Sequence, residues 1–219
     1  MSDPRTRQTD YWNRQARTFH RIYSHEKPWL LNLLDRVFRR DMYERFAFAM
    51  EASAPVGGRT FLDVGCGSGV YSVELARRGA AHVTGLDIAE DMLRLCREAA
   101  AAEGLAERCE FVRSDLLQLS TGVAFDVTLG IGLFDYIEDP LAVLRKMREV
   151  TRDRVILSFP RRGTWRAPVR WVRLSLRGCA VHFYTKRRID RLMAEAGLQV
   201  DTFERVGKLY CVVAIPQQA

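Results

Sequence analysis

The chain has 219 residues, 47% of them hydrophobic and 28% charged, with a formal net charge of +7 at pH 7. That balance fits one globular domain with a full core. No apolar run approaches the roughly 20 residues of a membrane-spanning helix, and the polar, charged segment 1–10 does not read as a secretory signal, so a cytoplasmic location is expected.

Residues 11–23, with Trp12, Phe19, Ile22 and Tyr23, read as a short helix. Residues 28–50 read as a longer one, because Pro28 suits a first helical position and Leu30, Leu33, Leu34, Val37 and Phe38 repeat at helical spacing. The turn residues of Ala54–Gly58 close this helical cap, taken as 1–53. From there strands and helices alternate. Strands are predicted over Arg59–Val64, His82–Leu86, Cys109–Arg113, Phe125–Gly130 and Arg154–Phe159. The helices between and after them are predicted over Val70–Arg78, Ala89–Glu103, Pro140–Val150 and Arg187–Ala196, with Gly79 and Gly197 as stops. Leu198–Glu204 and Lys208–Ile215 read as a terminal hairpin. Such alternation implies an α/β, doubly wound, mostly parallel sheet. With no repeat or linker, 1–219 is read as a single domain: the cap, a ligand-binding core over 59–160, and substrate-side elements over 161–219.

The predicted first strand runs into Asp63-Val64-Gly65-Cys66-Gly67-Ser68-Gly69 and then a helix. Glycines there let a backbone approach a ligand closely, and the free N–H groups of the helix start can seat a carboxylate. Asp87 ends the second strand about 20 residues on, where a nucleotide fold places its ribose-binding acid. Asp115 comes just after the third strand, where an acid can accept from an adenine amino group. The spacing is not the Gly-x-Gly-x-x-Gly of dinucleotide folds, so a dehydrogenase fits less well.

With Leu62–Gly69, Gly85-Leu86-Asp87-Ile88, Ser114-Asp115-Leu116 and Phe125-Asp126-Val127 in this order, the chain resembles the class I methyltransferase family over roughly residues 59–160. The resemblance implies a seven-stranded Rossmann-like sheet with an antiparallel last strand and S-adenosyl-L-methionine as cofactor, released as S-adenosyl-L-homocysteine. Asp63, Gly65, Cys66 and Gly67 would then surround its methionine part. Asp87 would bind the ribose hydroxyls, Ile88 would pack on the adenine, and Asp115 would bind the adenine amino group with Leu116 beside it. Gly130 would bring backbone near the methionine end.

Methyl transfer from a sulfonium needs alignment and, for some acceptors, a base. Related small-molecule enzymes often read Glu-His or His-His where this chain has Asp135-Tyr136, which puts a histidine base at that place in doubt. Tyr136 is a candidate to position an acceptor hydroxyl, oriented by Asp135, and packing under the next helix is the alternative. His182, in His182-Phe183-Tyr184-Thr185, is the best-placed candidate base, since imidazole titrates near neutrality. Tyr184, Arg161, His20 and Tyr23 are candidate substrate contacts; His82 reads as structural.

The fourth strand leads into Gly130-Ile131-Gly132-Leu133, and this segment excludes several acceptors. There is no Asn/Asp-Pro-Pro-Tyr run, no Pro-Cys pair, no ribose-methylating Lys-Asp-Lys-Glu set and no catechol-type metal signature, so no metal is expected and small-molecule acceptors remain. The five cysteines, at 66, 96, 109, 179 and 211, form no Cys-x-x-Cys pair and read as reduced thiols.

Between Arg161 and Arg191 ten basic residues face the single acid Asp190. Residues 164–178 read as an amphipathic helix, with Arg166, Arg170, Arg173 and Arg177 beside a Trp165, Val169, Val172, Leu176 stripe. A solvated face, a lid for an anionic acceptor and a peripheral membrane contact all suit it; nucleic acid ranks below these for want of a recognisable module. No obligate protein partner is indicated. The reading is therefore O- or N-methylation of a small-molecule acceptor, generically similar to magnesium-protoporphyrin and quinone methyltransferases. The alternatives are a non-catalytic S-adenosylmethionine-binding protein and, behind it, an RNA methyltransferase.

Overall fold

A computed structural model describes residues 9, 40–119, 122, 124–162 and 181–217. The helix expected over 11–23, the first part of that over 28–50, the arginine segment 164–178, and His20 and Tyr23 lie outside the described residues.

The elements keep to the alternation expected from the sequence. They are α1 (Arg40–Ala52), β1 (Thr60–Val64), α2 (Val70–Arg77), β2 (His82–Asp87), α3 (Glu90–Ala102), β3 (Cys109–Arg113), β4 (Phe125–Gly130), α4 (Pro140–Glu149), β5 (Thr151–Pro160), α5 (Lys186–Ala196), β6 (Leu198–Val206) and β7 (Leu209–Pro216). Single 3₁₀ turns at Ala106–Arg108 and Leu116–Gln118 flank β3. The strands form one seven-stranded sheet in the order β3-β2-β1-β4-β5-β7-β6. β7 runs antiparallel to both β5 and β6, while the remaining neighbours are parallel.

The inner strands are apolar on both faces because helices cover both, so their sequences read as runs and not as alternations. Phe61, Val127, Leu129, Ile156 and Val213 pack under α1 and α2. Leu62, Leu157, Phe159 and Val212 pack on the other side with Leu144 and Met147 of α4 and Ile189 and Met193 of α5. Each such side chain, fully buried, contributes about 1.5–3 kcal/mol of transfer free energy. Local signals end the helices: Asp139 accepts from the N–H groups of Leu141 and Ala142 at the start of α4, and Gly197 closes α5 with φ 71°.

Most boundaries fall within one residue of expectation, and the larger differences lie at β5 and in the hairpin. β5 begins at Thr151 and not at Arg154, because its polar start is paired. Thr151 Oγ1 lies 2.6 Å from Thr128 Oγ1, and Asp153 forms ion pairs with Arg59 and Arg154. The hairpin strands extend to Val206 and from Leu209, leaving only Gly207 (φ 52°) and Lys208 to turn. The sheet order reverses between β1 and β4, and open α/β sheets bind ligands beyond their strand carboxyl ends at such a switch point.

Candidate active site

The segment after β1 is tied to β2 by its own backbone: Gly65 and Cys66 N–H both donate to Leu86 O, at 2.8 and 2.9 Å. Gly65, Gly67 and Gly69 all have positive φ, 70°, 55° and 78°. At Gly69 a second constraint applies, since a Cβ would lie 3.0 Å from Cys96 Sγ and 3.3 Å from Cys96 Cα. The loop therefore sits flat against α3. Cys96 Sγ donates to Gly67 O at 3.0 Å, and Cys66 Sγ lies 3.9 Å from Cys96 Sγ. The shared hydrogen bond between these thiols, with burial, pushes Cys66 well above its ordinary range, so it is a packing thiol.

Two acids meet at this loop. Asp63 is 2% exposed and accepts from Ser72 Oγ at 2.6 Å, which fastens β1 to α2. Burial lifts its carboxyl to about 6, aided by the nearby Asp87 and opposed by the Ser72 hydrogen bond. Asp87, at the end of β2, accepts from Gly67 N–H at 3.0 Å and Ala89 N–H at 2.9 Å. Burial raises its carboxyl too, against those N–H bonds. Ionised Asp87 has about four lone-pair sites on its two oxygens, so these N–H groups orient it and leave acceptor capacity for a ligand. Ser68 Oγ, in the same loop, is buried and without a hydrogen-bond partner. An orphaned buried hydroxyl beside glycines that keep the backbone bare is a cradle built for a polar guest.

The other predicted cofactor residues divide between lining and support. Ile88 is half-buried just beyond Asp87. Asp115 caps the turn after β3, accepting from Leu117 N–H at 3.0 Å, while Leu116 is buried in the core on the α4 side. At Gly130 a Cβ would stand 2.7 Å from Met147 Cε and 3.1 Å from Leu157 Cδ2, so the end of β4 is closely packed by α4 and β5.

On the acceptor side the chain brings the three candidate catalytic residues together. His182 N–H donates to Asp135 O at 2.8 Å, which lays 181–185 beside the loop after β4. Asp135 is buried, and Tyr136 packs with Val181 and Phe183. His182 is half-buried; burial, and then the Arg188 charge, lowers its imidazole below the usual value, against a smaller raising by Glu138. Tyr184 is fully buried, edge-on to Phe159 with ring centroids 5.0 Å apart and under the Arg188 guanidinium. Its hydroxyl has no hydrogen-bond partner, and burial pushes it to about 12. Arg161 turns to the hairpin, donating to Gly207 O at 2.8 Å and standing 5.3 Å over the Tyr210 ring. His82, away from the site, lies 3.7 Å from Glu110 in the neighbouring strand. Among the described residues no group of three or more His, Cys, Asp or Glu is placed to hold a metal ion.

One site residue escaped sequence reasoning. Arg45 of α1 donates through Nε to Tyr71 Oη at 3.1 Å, at the start of α2, and its Nη1 lies 3.0 Å from where a Gly132 Cβ would be. It thus sets a cation between the first helical turn after the glycine loop and the loop after β4. The periodicity of α1 marks its apolar face and gives no sign of this.

A family model described as a methyltransferase domain matches residues 61–154. The chain thus carries a methyltransferase domain over that stretch. The matched stretch runs from β1 into β5 and holds Asp63, the glycine loop, Asp87, Asp115 and Asp135. Its similarity to curated proteins is centred there. It is 36% identical over 97 residues to a ubiquinone biosynthesis O-methyltransferase from Neisseria meningitidis serogroup C (strain 053442), covering 44% of this chain and 41% of that protein. The chain thus spans less than half the length of that curated relative. In fold it is similar to the magnesium protoporphyrin IX methyltransferase from Synechocystis PCC 6803, solved with bound SAH, at TM-score 0.76 and 21% identity over 98% of this chain and 100% of that one. It is also similar to the [4+2]-cyclase SpnF, at TM-score 0.68 and 16% identity over 80% and 82% of the two chains. A cyclase on a similar fold means that fold alone does not name a reaction, so function has to be argued from the site.

Proposed function

We propose that the chain transfers the methyl group of S-adenosylmethionine to a small-molecule acceptor, as an O- or N-methylation. The observation that carries this reading is the Asp87 carboxylate held by Gly67 N–H at the end of β2, beside the buried, unpartnered Ser68 hydroxyl. Those residues fit an adenosyl group: an oriented acid for vicinal hydroxyls, a bare backbone loop, and the apolar Ile88 next along the chain. In this reading Asp115 accepts from an amino group and Arg45 meets a carboxylate. When bound, the cofactor supplies a methyl group already activated on a sulfonium.

The protein's remaining work is to align an acceptor and take its proton. His182 suits that task, because an imidazole whose charged form is disfavoured by burial and by Arg188 is neutral, hence basic, at pH 7. Tyr184, held to about 12, keeps its proton and serves only as a donor. The names of the relatives support an oxygen acceptor, since the Neisseria protein is called an O-methyltransferase.

Calorimetry with S-adenosylmethionine and S-adenosylhomocysteine tests the reading. Both should bind, and Asp87→Ala should weaken them by roughly a hundredfold, as expected for two hydrogen bonds to a charged acceptor. A folded protein that binds neither sinks it. An acceptor screen with labelled methyl donor then identifies the product.

A further inference from the structure

The topology brings a set of cations to one rim of the molecule. Arg161 and Arg162 come directly after the end of β5, Arg205 is the last residue but one of β6, Lys208 sits in the β6–β7 turn, and Lys186, Arg187 and Arg188 open α5, with Arg191 one turn on. Because β6 runs parallel to β5, all of these groups lie at the carboxyl end of the sheet, the end that carries the candidate active site. Among the described residues the acids near them are fewer: Asp190 is taken by Lys186 at 2.9 Å, Asp139 caps α4 and Asp135 is buried, beside Glu138 and Glu204.

Aromatic rings are threaded between these cations. Lys186 Nζ lies 4.6 Å over the Phe203 ring, Phe203 stands 5.1 Å from Tyr210, and Arg161 covers Tyr210. Cations and rings thus share this one rim, the combination of residue types that populates a lipid boundary. We propose that this rim docks the protein on an anionic phospholipid surface, with the acceptor side of the active site facing the lipid.

Charge complementarity selects this occupant, and the rings argue against nucleic acid. Single strands need exposed aromatic faces on which bases stack, and here the faces of Phe203 and Tyr210 are covered by Lys186 and Arg161. Docking is independent of methyl transfer, since the rim is a surface that the cofactor site does not use.

The test is co-sedimentation of the full chain with phosphatidylcholine vesicles and with vesicles mixing phosphatidylcholine and phosphatidylglycerol. Binding is expected only to the anionic vesicles, and molar salt should release it by screening. Arg187→Gln, Arg191→Gln and Arg205→Gln together should lower partitioning, with each neutralised cation accounting for about fivefold. Calorimetry with S-adenosylmethionine checks that this variant is folded, and the salt release of the unaltered chain stands as evidence even where the variant does not fold. Equal binding to neutral and anionic vesicles, no binding, or an unchanged folded variant overturns the proposal. So does retention on homopolymeric RNA that exceeds retention on the anionic vesicles, which would give the rim to nucleic acid.

Discussion

Asp63 stores a cost that a single isosteric change should release. It is buried between β1 and α2, holds one strong hydrogen bond from Ser72, and has its carboxyl raised from 3.8 to about 6. A folded-state value raised above the unfolded one means the folded protein resists losing the proton. Its contribution to stability is full below pH 3.8 and is lost as pH rises through about 6. A shift of about two units at about 1.4 kcal/mol per unit makes the ionised carboxylate cost the cofactor-free protein about 3 kcal/mol at pH 8. Asp63→Asn keeps the shape, and its side-chain oxygen still accepts from Ser72, but it cannot ionise. The difference in unfolding free energy, variant minus wild type, should therefore grow from near zero below pH 4 to about 3 kcal/mol at pH 8, with roughly half of that at pH 5. Urea unfolding of both proteins at those pH values measures it. A difference that does not change with pH, or a variant that loses stability relative to wild type as pH rises, would refute the account of Asp63 as a desolvated acid.

The site makes three other outcomes testable. Gly69→Ala forces a Cβ into a φ of 78° and to within 3.3 Å of the Cys96 backbone, so it should destabilise by about 2 kcal/mol and lower the melting temperature; an unchanged melting temperature would show that the loop is not held as described. Arg45→Met should weaken S-adenosylmethionine by about tenfold yet leave 5′-methylthioadenosine, which lacks the carboxylate, unaffected; equal losses for both would assign Arg45 to folding and not to the ligand. For His182, lowered by burial and Arg188, the base form persists through neutrality, so the rate should hold at pH 7 and fall only below the ordinary imidazole value of 6.5. His182→Gln should abolish that acid limb, and a limb that survives would point to another base.

The cofactor side was legible in the sequence because its requirements are local. A strand, a loop with glycines where the backbone must turn left-handed, and an acid at the next strand end each depend on neighbours in the chain. The rest depends on residues far apart in sequence. Arg45 matters because α1 lies across the start of α2 and reaches Gly132, a contact that no spacing within α1 encodes. At Gly130 the side chains of Met147 and Leu157 come within 3.1 Å of where a Cβ would be, a packing that spacing along the chain does not encode. Arg161 reads as a substrate contact, yet the hairpin supplies its carbonyl and ring partners from the β6–β7 turn and β7. The start of β5 was missed for a related reason: Thr151-Arg152-Asp153 looks like a turn until Arg59 and Thr128 are seen to pair with it.

The same sheet order also separates the charges that the molecule needs to keep apart. Asp63, Asp87 and Asp115 lie on or just after the strands of the β1–β3 side, whereas Arg205, Lys208 and the cations of α5 gather beyond β5. Charges exposed to water more than about 10 Å apart are largely screened at 0.1 M salt. A ligand on the acids and an anionic surface on the cations should therefore bind almost independently, and changes at the two places should add. Arg205→Glu leaving S-adenosylmethionine affinity untouched, and Asp87→Ala leaving vesicle binding untouched, is the pattern this geometry requires. A substantial cross-effect would mean that the two ends of the sheet communicate through structure and not through charge.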